Sequence, residues 1–303
     1  MKLTFYGLWE EEKPKLQELS EKYGFEYAGT NEVLCPENLS LCDGSAGVSA
    51  LGKRAVDEAL LSELARRGIR YLSTRSIGYN HIDLKAAKKF GIRLCNSQYP
   101  PDSVAEFTVM LILMCLSRKT VGVVGTGGIG GRVVGLLSGF GCRILCHSEA
   151  VRPEIAKAAE YVDLPALYKE SDVITYHLPL TSATRHMLNR EALAGMKDGV
   201  ILVNTARGEL FETEALIEGV ENRKIGALAM DVFEGEDGIY HVDRTDDILR
   251  NRNMAYLRQF PNVVLTQHMA FYTMLSMESM IENSVEGLLG FIRSGQTKFE
   301  VKF

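Results

Sequence analysis

The sequence predicts an α/β fold with two doubly wound domains, each built on a parallel sheet. The chain has 303 residues, which is too long for one small core. Short apolar runs alternate with amphipathic stretches in both halves of the chain. A glycine-rich turn joins one apolar run to an amphipathic stretch near the middle. We therefore expect two cores of ordinary size.

The first hundred residues contain one complete set of alternating elements. Apolar runs at 3–6, 46–50, 71–73 and 92–95 predict strands, because strands that are covered on both faces carry few polar residues. Amphipathic stretches at 13–23, 55–67 and 83–90 predict the crossover helices, the last of them ending at Gly91. This rhythm predicts a first open α/β domain that ends near residue 95.

A second alternating set fills the rest of the chain. It is preceded by residues 102–117, which begin with a capping-type Asp-Ser pair and are apolar almost all round. We expect a buried helix there, between the domains. Predicted strands follow at 121–125, 143–146, 173–176, 199–203, 227–231 and 263–265, with helices at 129–140, 212–221 and 277–292. The order is typical of a doubly wound nucleotide-binding domain.

Composition excludes several classes of partner. A net charge of -5 and a pI near 5.8 argue against a nucleic-acid or anionic-membrane surface. The six cysteines form no CxxC pair and no zinc-finger spacing, so we expect reduced thiols and no metal. The N-terminus turns acidic too early for a signal peptide, and no run of about eighteen apolar residues could span a bilayer. We expect a cytoplasmic protein with a small-molecule partner.

The turn VGVVGTGGIGG contains a G-x-G-x-x-G motif formed by Gly125, Gly127 and Gly130. The first glycine permits the tight turn, the second lets backbone amides approach a pyrophosphate, and the third lets helix and strand pack closely. The helix N-terminus adds unpaired amides and the positive end of a dipole. The motif alone is weak, but its strand and helix context predicts dinucleotide binding.

The end of the next strand normally selects between NAD and NADP. An acidic residue there accepts hydrogen bonds from the ribose 2′-hydroxyl of NAD. This chain has Ser148 at that position, and Glu149 could substitute from one residue later. Ser148 with His147 or Arg152 could instead accommodate the 2′-phosphate of NADP. NAD is the expected cofactor, and NADP stays possible.

Polar side chains follow three later strands. Arg207 comes after the strand at 199–203, Asp231 and Glu236 at the end of the strand at 227–231, and His268 after the strand at 263–265. Carboxyl ends of parallel strands face the crevice where ligands bind. An Arg can clamp a carboxylate and its adjacent carbonyl, a His can donate a proton near neutral pH, and either carboxylate could orient it. Each residue alone is more often structural, but together they are the groups that hydride transfer to a 2-oxo acid needs.

With these motifs in order, the sequence resembles the D-isomer-specific 2-hydroxyacid dehydrogenases, especially the branch with D-lactate and (R)-2-hydroxyisocaproate dehydrogenases. The resemblance covers nearly the whole chain. The motifs that carry it are RSIGYNHID at 75–83, residues 99–106, the turn at 125–130, HLPLT at 177–181, MKDGVILVNTARGEL at 196–210, YLRQFPN at 256–262 and HMAFYT at 268–273.

The resemblance implies a flavodoxin-like substrate domain from residues 1–98 with 270–303, a Rossmann cofactor domain from 99–269, and a homodimer. It implies that Arg207 clamps the substrate, that Glu236 partners the acid/base His268, and that Asp231 lies near the nicotinamide. Implied substrate-binding residues are Ser76, Ile77, Gly78 and Tyr99, together with Arg207. Implied cofactor-binding residues are Gly125, Gly127, Gly128, Ile129, Gly130, Ser148, His177, Pro179, Thr205 and Asp231.

Three features depart from the family pattern and leave alternatives open. Family members usually have a basic residue where this chain has Gly128, and an acid where it has Ser148. Only Lys119 and Thr120 separate the apolar helix from the next predicted strand, where the family has a longer segment. The alternatives are a nucleotide-binding relative without turnover, and an NADPH-dependent reductase of hydroxypyruvate or glyoxylate. Retention of all three catalytic-type residues favours the dehydrogenase.

Overall fold

The computed structural model describes residues 1–52, 54–114, 120–240 and 251–303. By its internal contacts the chain divides into two compact units, Met1–Pro100 with Tyr272–Phe303 and Pro101–Phe271. The assignment of one part to substrate and the other to cofactor stays a prediction at this point. The short link expected at Lys119 lies outside the described residues.

The strands of the described chain form two sheets. The first holds β1 (Lys2–Tyr6), β2 (Glu26–Thr30), β3 (Gly47–Ala50), β4 (Tyr71–Thr74) and β5 (Arg93–Asn96). The second holds β6 (Thr120–Val124), β7 (Arg143–His147), β8 (Glu160–Tyr161), β9 (Val173–Tyr176), β10 (Val200–Asn204), β11 (Ile225–Met230) and β12 (Val263–Leu265).

The helices of the described chain follow the strands in alternation. They are α1 (Lys13–Tyr23), α2 (Glu58–Arg66), α3 (Leu84–Lys89), α4 (Asp102–Leu113), α5 (Gly128–Leu137), α6 (Leu164–Glu170), α7 (Arg190–Ala194), α8 (Thr213–Glu221), α9 (Arg252–Leu257) and α10 (Met274–Ser294). None of them is long and apolar enough to cross a membrane.

The first unit is a parallel sheet in the order β2-β1-β3-β4-β5, which is the flavodoxin-like order. Two of its helices start at aspartate caps: Asp57 accepts from Leu60 N at the start of α2, and Asp83 accepts from Ala86 N at the start of α3. The closing helix α10 packs apolar residues against β1, so the N-terminal and C-terminal segments share one core. The predicted fold class is confirmed for this unit.

The second unit is a parallel sheet in the order β12-β11-β10-β9-β6-β7-β8. The first strand of this sheet along the chain is β6. The chain then adds β7 and β8 on one side of β6 and returns to add β9 on its other side. This is the Rossmann order, and its switch point lies between β6 and β9. Strands β9 and β10 are buried along their whole length, as expected for a sheet covered on both faces. The predicted nucleotide-binding architecture is therefore confirmed.

The start of α4 differs from the expectation in one respect. Pro101 occupies the N-cap position, and no side chain caps this end. Asp102 lies inside the first turn, where its carboxylate accepts a 2.8 Å hydrogen bond from Nε of Arg132 in α5. The expectation that Asp102 caps the helix is wrong, because the carboxylate pairs with a neighbouring helix instead.

Candidate active site

The carboxyl ends of six neighbouring strands in the second unit are aligned in register. The paired residues across the sheet, from β7 to β12, are His147, Val124, Tyr176, Asn204, Met230 and Leu265. The residues that follow them are therefore neighbours along one edge. In the same order these are Ser148, Gly125, His177, Thr205, Asp231 and Thr266. With strands about 4.8 Å apart, this edge is about 24 Å long, and it carries most of the predicted site.

The glycine-rich turn is a cradle that side chains would fill. Gly125 has φ +91°, and a Cβ on it would lie 2.5 Å from the carbonyl oxygen of His177. A Cβ on Gly130 would lie 1.9 Å from the carbonyl oxygen of Gly125. A Cβ on Gly127 would meet nothing within 4 Å, and one on Gly128 would meet only Pro101 Cβ, at 3.9 Å. Gly127 is the N-cap of α5 and makes no side-chain hydrogen bond. The turn therefore leaves the first amides of α5 to a ligand, which fits the pyrophosphate of a dinucleotide.

His177 supports this turn from the neighbouring strand. Its Nε2 lies 3.1 Å from Oγ1 of Thr175, whereas its Nδ1 is buried with no hydrogen-bond partner among the described residues. Burial lowers the pKa of His177 to about 3, so the imidazole is neutral at physiological pH. A buried nitrogen without a partner beside the cradle is consistent with a ligand at this position.

The other predicted cofactor residues lie on or near the same edge. Ile129 is in the first turn of α5, and Pro179 is exposed two residues after His177. Thr205 is buried, and its Oγ1 lies 2.8 Å from Oγ1 of Thr108 in α4. Their contact with a cofactor stays a prediction.

The loop that carries Arg207 is shaped by the side chain of Asn204, the last residue of β10. The Asn204 amide donates to the carbonyl of Arg207 at 2.8 Å and accepts from Ala206 N at 2.9 Å. Arg207 is half-buried, and its guanidinium donates a hydrogen bond to the carbonyl oxygen of Ala206. No described carboxylate pairs with it. A half-buried cation of this kind suits an anionic substrate group.

His268 and Glu236 form a direct pair. His268 Nδ1 lies 2.5 Å from Oε1 of Glu236. The second carboxylate oxygen of Glu236 accepts from Phe233 N at 2.5 Å, which fixes the carboxylate on the backbone of a buried residue. Because Nδ1 is engaged by the carboxylate, proton exchange with a ligand would use Nε2. This is the geometry of an oriented general acid/base.

Asp231 holds the turn on which His268 sits. Its carboxylate is fully buried and accepts from the backbone nitrogens of Met269 at 2.9 Å and Ala270 at 2.8 Å, and from the hydroxyl of Thr266 at 2.5 Å. The amide of His268 donates to Asp231 O at 2.7 Å. His268 has φ +53°, a left-handed conformation that costs free energy unless the surroundings impose it. Asp231 provides those surroundings; its predicted contact with nicotinamide stays a prediction.

The loops of Arg207 and Glu236 are packed against each other through Gly208. A Cβ on Gly208 would lie 2.1 Å from the carbonyl carbon of Phe233 and 2.3 Å from Glu234 N. Only a residue without a side chain permits this approach. Gly208 therefore places the loop after β10 directly against the loop after β11.

The substrate residues expected in the first unit lie after β4 and β5. The loop Ser76, Ile77 and Gly78 follows β4 and is closed by a 2.7 Å hydrogen bond from Ser76 Oγ to Gly78 O. Asn96, which ends β5, donates to Ile77 O at 2.8 Å. Tyr99 is half-buried in the segment after β5. Their role stays a prediction.

Two residues that shape the site, Asn204 and Gly208, are not identified by the sequence pattern. Both stand in the stretch around Arg207, and an Asn at a strand end and a Gly after an Arg are recognisable turn signals. Their partners lie in contacts between loops, which a linear pattern does not specify. The positioning role of Asp231 was missed for the same reason.

The profile described as D-isomer specific 2-hydroxyacid dehydrogenase, NAD binding domain, matches residues 106–270. The chain belongs to this family. An aromatic 2-oxoacid reductase of Clostridium sporogenes is 38% identical over 98% of each chain. A D-lactate dehydrogenase structure from Treponema pallidum aligns over 100% of both chains with a TM-score of 0.89 and 27% identity. The NAD-complexed D-isomer specific 2-hydroxyacid dehydrogenase from Lactobacillus delbrueckii ssp. bulgaricus aligns over 100% of both chains with a TM-score of 0.83 and 26% identity.

Family membership identifies the dehydrogenase as an NAD-binding oxidoreductase that interconverts 2-oxo acids and D-2-hydroxy acids. The predicted family, reaction class and cofactor are therefore confirmed.

Replacing Gly130 by Ala should weaken NADH binding by at least about tenfold, or about 1.4 kcal/mol. The new Cβ would lie 1.9 Å from the Gly125 carbonyl oxygen, so the turn must shift away from its binding geometry. Calorimetric titration with NADH measures the change. Gly135 in the same helix is the matched control, because a Cβ there meets nothing within 4 Å. Gly135→Ala should keep NADH affinity and stabilise the helix by up to about 1 kcal/mol. Equal NADH affinities for the two variants would contradict the assigned role of the turn.

Replacing Glu236 by Gln should lower kcat/KM about 10- to 100-fold with little change in NADH affinity. The variant keeps the size of the side chain but loses the charge that strengthens the hydrogen bond to His268, worth about 1.5–3 kcal/mol. Steady-state kinetics with a 2-oxo acid measures the loss. Glu234→Gln is the control, because Glu234 pairs with His186 and Arg185 instead. The two variants should differ by at least about tenfold in kcat/KM; similar values would count against the Glu236–His268 pair.

Proposed function

We propose that the dehydrogenase reduces a small 2-oxo acid to the D-2-hydroxy acid, with Arg207, Glu236 and His268 as its catalytic residues. The observation that carries the proposal is the 2.5 Å hydrogen bond between His268, in the loop after β12, and Glu236, in the loop after β11. The Glu236 loop packs against the loop of Arg207 through Gly208. NAD, when bound in the cradle, supplies or accepts the hydride at the C2 carbon of the substrate. The remaining chemistry belongs to the side chains of this chain.

His268 handles the proton at the substrate oxygen. In the reducing direction the protonated imidazole gives the proton on Nε2 to the carbonyl oxygen, which becomes the hydroxyl of the product. Glu236 stabilises the protonated ring before the transfer and keeps its orientation afterwards. In the oxidising direction the neutral ring takes the hydroxyl proton back.

Arg207 binds the substrate anion. Its planar guanidinium can donate two parallel hydrogen bonds, one to the carboxylate and one to the 2-oxo group, which fixes the carbonyl for reaction. The absence of a described carboxylate partner for Arg207 supports this role. We assign the backbone of Ser76, Ile77 and Gly78 to the substrate carboxylate and Tyr99 to the substrate side chain, following the family resemblance.

The substrate side chain is the open choice within this function. The relatives include an aromatic 2-oxoacid reductase and a D-lactate dehydrogenase. The substrate side chains to test therefore range from a methyl group to an aromatic ring. The test is loss of 340 nm absorbance when purified protein and NADH meet pyruvate, 2-oxoisocaproate or phenylpyruvate. We expect turnover with at least one of them and a product of D configuration. Nucleotide binding without any turnover would overturn the proposal in favour of a binding protein.

We also propose that the dehydrogenase is a cytoplasmic homodimer. The described cysteines are all free, which suits a reducing compartment. An exposed apolar patch in the second unit supports a subunit interface; it consists of Met110, Leu113, Met114 and Phe140. Light scattering at micromolar concentration should give twice the mass of 33.6 kDa. A monomer that persists at 100 µM would rule the dimer out.

A further inference from the structure

A cluster of donors surrounds the carboxyl end of β7, at the far end of the binding edge from His268. Arg152 Nη1 donates to the carbonyls of Thr126 and Gly127 in the glycine-rich turn, at 3.1 and 3.2 Å. Tyr161 OH donates to Oγ1 of Thr126 at 2.9 Å. Ser148 Oγ accepts from Thr126 N at 3.4 Å. A cation and three hydroxyl-bearing side chains therefore meet at one corner of the turn.

The position of Ser148 is where the 2′ group of the adenosine ribose is read. A carboxylate at this position would accept hydrogen bonds from the 2′-hydroxyl of NAD and would repel the 2′-phosphate of NADP. Ser148 can donate to either group and carries no charge. The selection against NADP that an acid would impose is therefore absent at this residue.

Arg152 supplies the positive charge that a phosphate needs. Its competing partner is Glu154, whose carboxylate lies 2.7 Å from Nη2 and 2.8 Å from Nε. Both side chains are about half exposed, and exposed ion pairs contribute little to stability. A guanidinium can therefore exchange this carboxylate for a phosphate, which binds more strongly because of its higher charge. Gly128 adds no side chain to the turn, so Arg152 is the cation that contacts it among the described residues.

The other charged or titratable groups near this corner are accounted for. His147 Nδ1 lies 3.1 Å from the carbonyl of Val162, so this ring is held by backbone. Glu149 is exposed one residue after Ser148 and is the acid that could still favour NAD. The acids at this corner are therefore Glu154, which pairs with Arg152, and Glu149, and the cation that faces them is Arg152.

We propose that Ser148 and Arg152 make this site accept the 2′-phosphate of NADP(H) as well as the ribose of NAD(H), so that the dehydrogenase uses both cofactors. The inference rests on the proposed function, because it takes the glycine-rich turn as the cofactor site. In this proposal Arg152 binds the 2′-phosphate of NADP(H), and Ser148 lacks the negative charge that would repel this phosphate.

The test is calorimetric titration of the protein with NADH and with NADPH separately, without substrate. The wild type should bind the two with dissociation constants within about tenfold of each other. Arg152→Gln should weaken NADPH binding about tenfold or more while changing NADH binding less than threefold. Ser148→Asp should weaken NADPH binding at least about thirtyfold relative to NADH, through charge repulsion. The ³¹P resonance of the 2′-phosphate should shift on binding to the wild type and shift less with Arg152→Gln.

Arg143→Gln is the matched control. Arg143 lies at the opposite, amino end of β7 and pairs with Glu160 and Glu170. Its replacement should leave both affinities unchanged. The inference is overturned if the wild type binds NADPH more than about 100-fold more weakly than NADH, or if Arg152→Gln weakens both cofactors equally.

The two proposals fail in different ways. Turnover with NADH, without binding or consumption of NADPH, overturns the dual cofactor use and leaves the reaction in place. Comparable binding of both nucleotides without turnover of any 2-oxo acid overturns the reaction and supports the cofactor inference.

Discussion

Replacing His268 by Gln is expected to lower kcat by about 10³-fold while leaving NADH affinity nearly unchanged. General acid/base groups raise reaction rates by about 10²- to 10⁴-fold. His268 is oriented for this role by the carboxylate of Glu236, at the same edge of the sheet as Arg207. A Gln side chain can donate a hydrogen bond but cannot transfer a proton at neutral pH. Steady-state kinetics with NADH and the best 2-oxo acid of the panel gives the loss, and calorimetry gives the NADH affinity.

The backbone of His268 calls for a second variant. Its φ of +53° is left-handed, a conformation that Asn adopts more readily than Gln. His268→Asn should therefore keep the turn held by Asp231 and lose turnover to a similar degree. Agreement between the two variants separates loss of the proton donor from loss of the turn.

His186 provides a matched control within the same unit. It also has positive φ, at +50°, and its Nε2 lies 2.8 Å from Glu234. This second pair joins the same two types of side chain as the first. His186, however, does not directly follow any of the six aligned strand ends. His186→Gln should change kcat less than about threefold. Turnover of His268→Gln within tenfold of the wild type would remove His268 from the mechanism.

The sequence predicts the alternation of the fold but does not reveal two poorly covered strands, β2 and β8. β2 is EYAGT, and none of its residues is fully buried, so it carries no apolar run. β8 is two residues long and lies at the sheet edge. Both are edge strands, and an edge strand is held by backbone hydrogen bonds to one neighbour, which side-chain patterns do not record. The central strands are apolar because both their faces are covered, and the sequence located them.

The residues of the candidate site could be named from the sequence, but their division of labour could not. Asp231, Glu234 and Glu236 are three acids within six positions, and the residue pattern alone leaves either Asp231 or Glu236 as partner of a histidine. The structure gives each a different partner: Asp231 binds backbone amides, Glu234 binds His186, and Glu236 binds His268. The turn at 233–236 directs the Glu236 carboxylate, because Glu236 N donates to Phe233 O and Phe233 N donates back to Glu236 Oε2.

Replacing Arg75 by Met is expected to lower the free energy of unfolding of the first unit by about 3–5 kcal/mol. Arg75 and Glu12 are an ion pair with no exposed side-chain surface, joined by a 2.9 Å hydrogen bond from Nε to Oε1. The guanidinium also donates to Ser49 Oγ at 3.0 Å and Gly7 O at 2.7 Å. Removing the arginine leaves a buried carboxylate and several acceptors without their donor.

The measurement is urea unfolding followed by the fluorescence of Trp9, the single tryptophan of the chain. Trp9 lies in the first unit, and its backbone nitrogen donates to Glu12 at 2.9 Å, so its signal reports this region and avoids the mixed transitions of a chain with two units. Arg67→Gln is the control, because its pairs with Glu63 and Asp43 are partly exposed and should contribute less than about 1 kcal/mol.

The double variant Glu12→Leu with Arg75→Met decides whether the loss comes from the isolated charge. When one partner is removed, the cost is dominated by the buried charge that remains. Removing both charges eliminates that cost. The double variant should therefore lose less free energy of unfolding than Glu12→Leu and Arg75→Met lose together, by at least about 1 kcal/mol. Additive losses would instead show that each side chain acts through its own contacts. In that case Arg75 would stabilise the first unit by its hydrogen bonds to the carbonyls of Tyr6 and Gly7 rather than by its ion pair with Glu12.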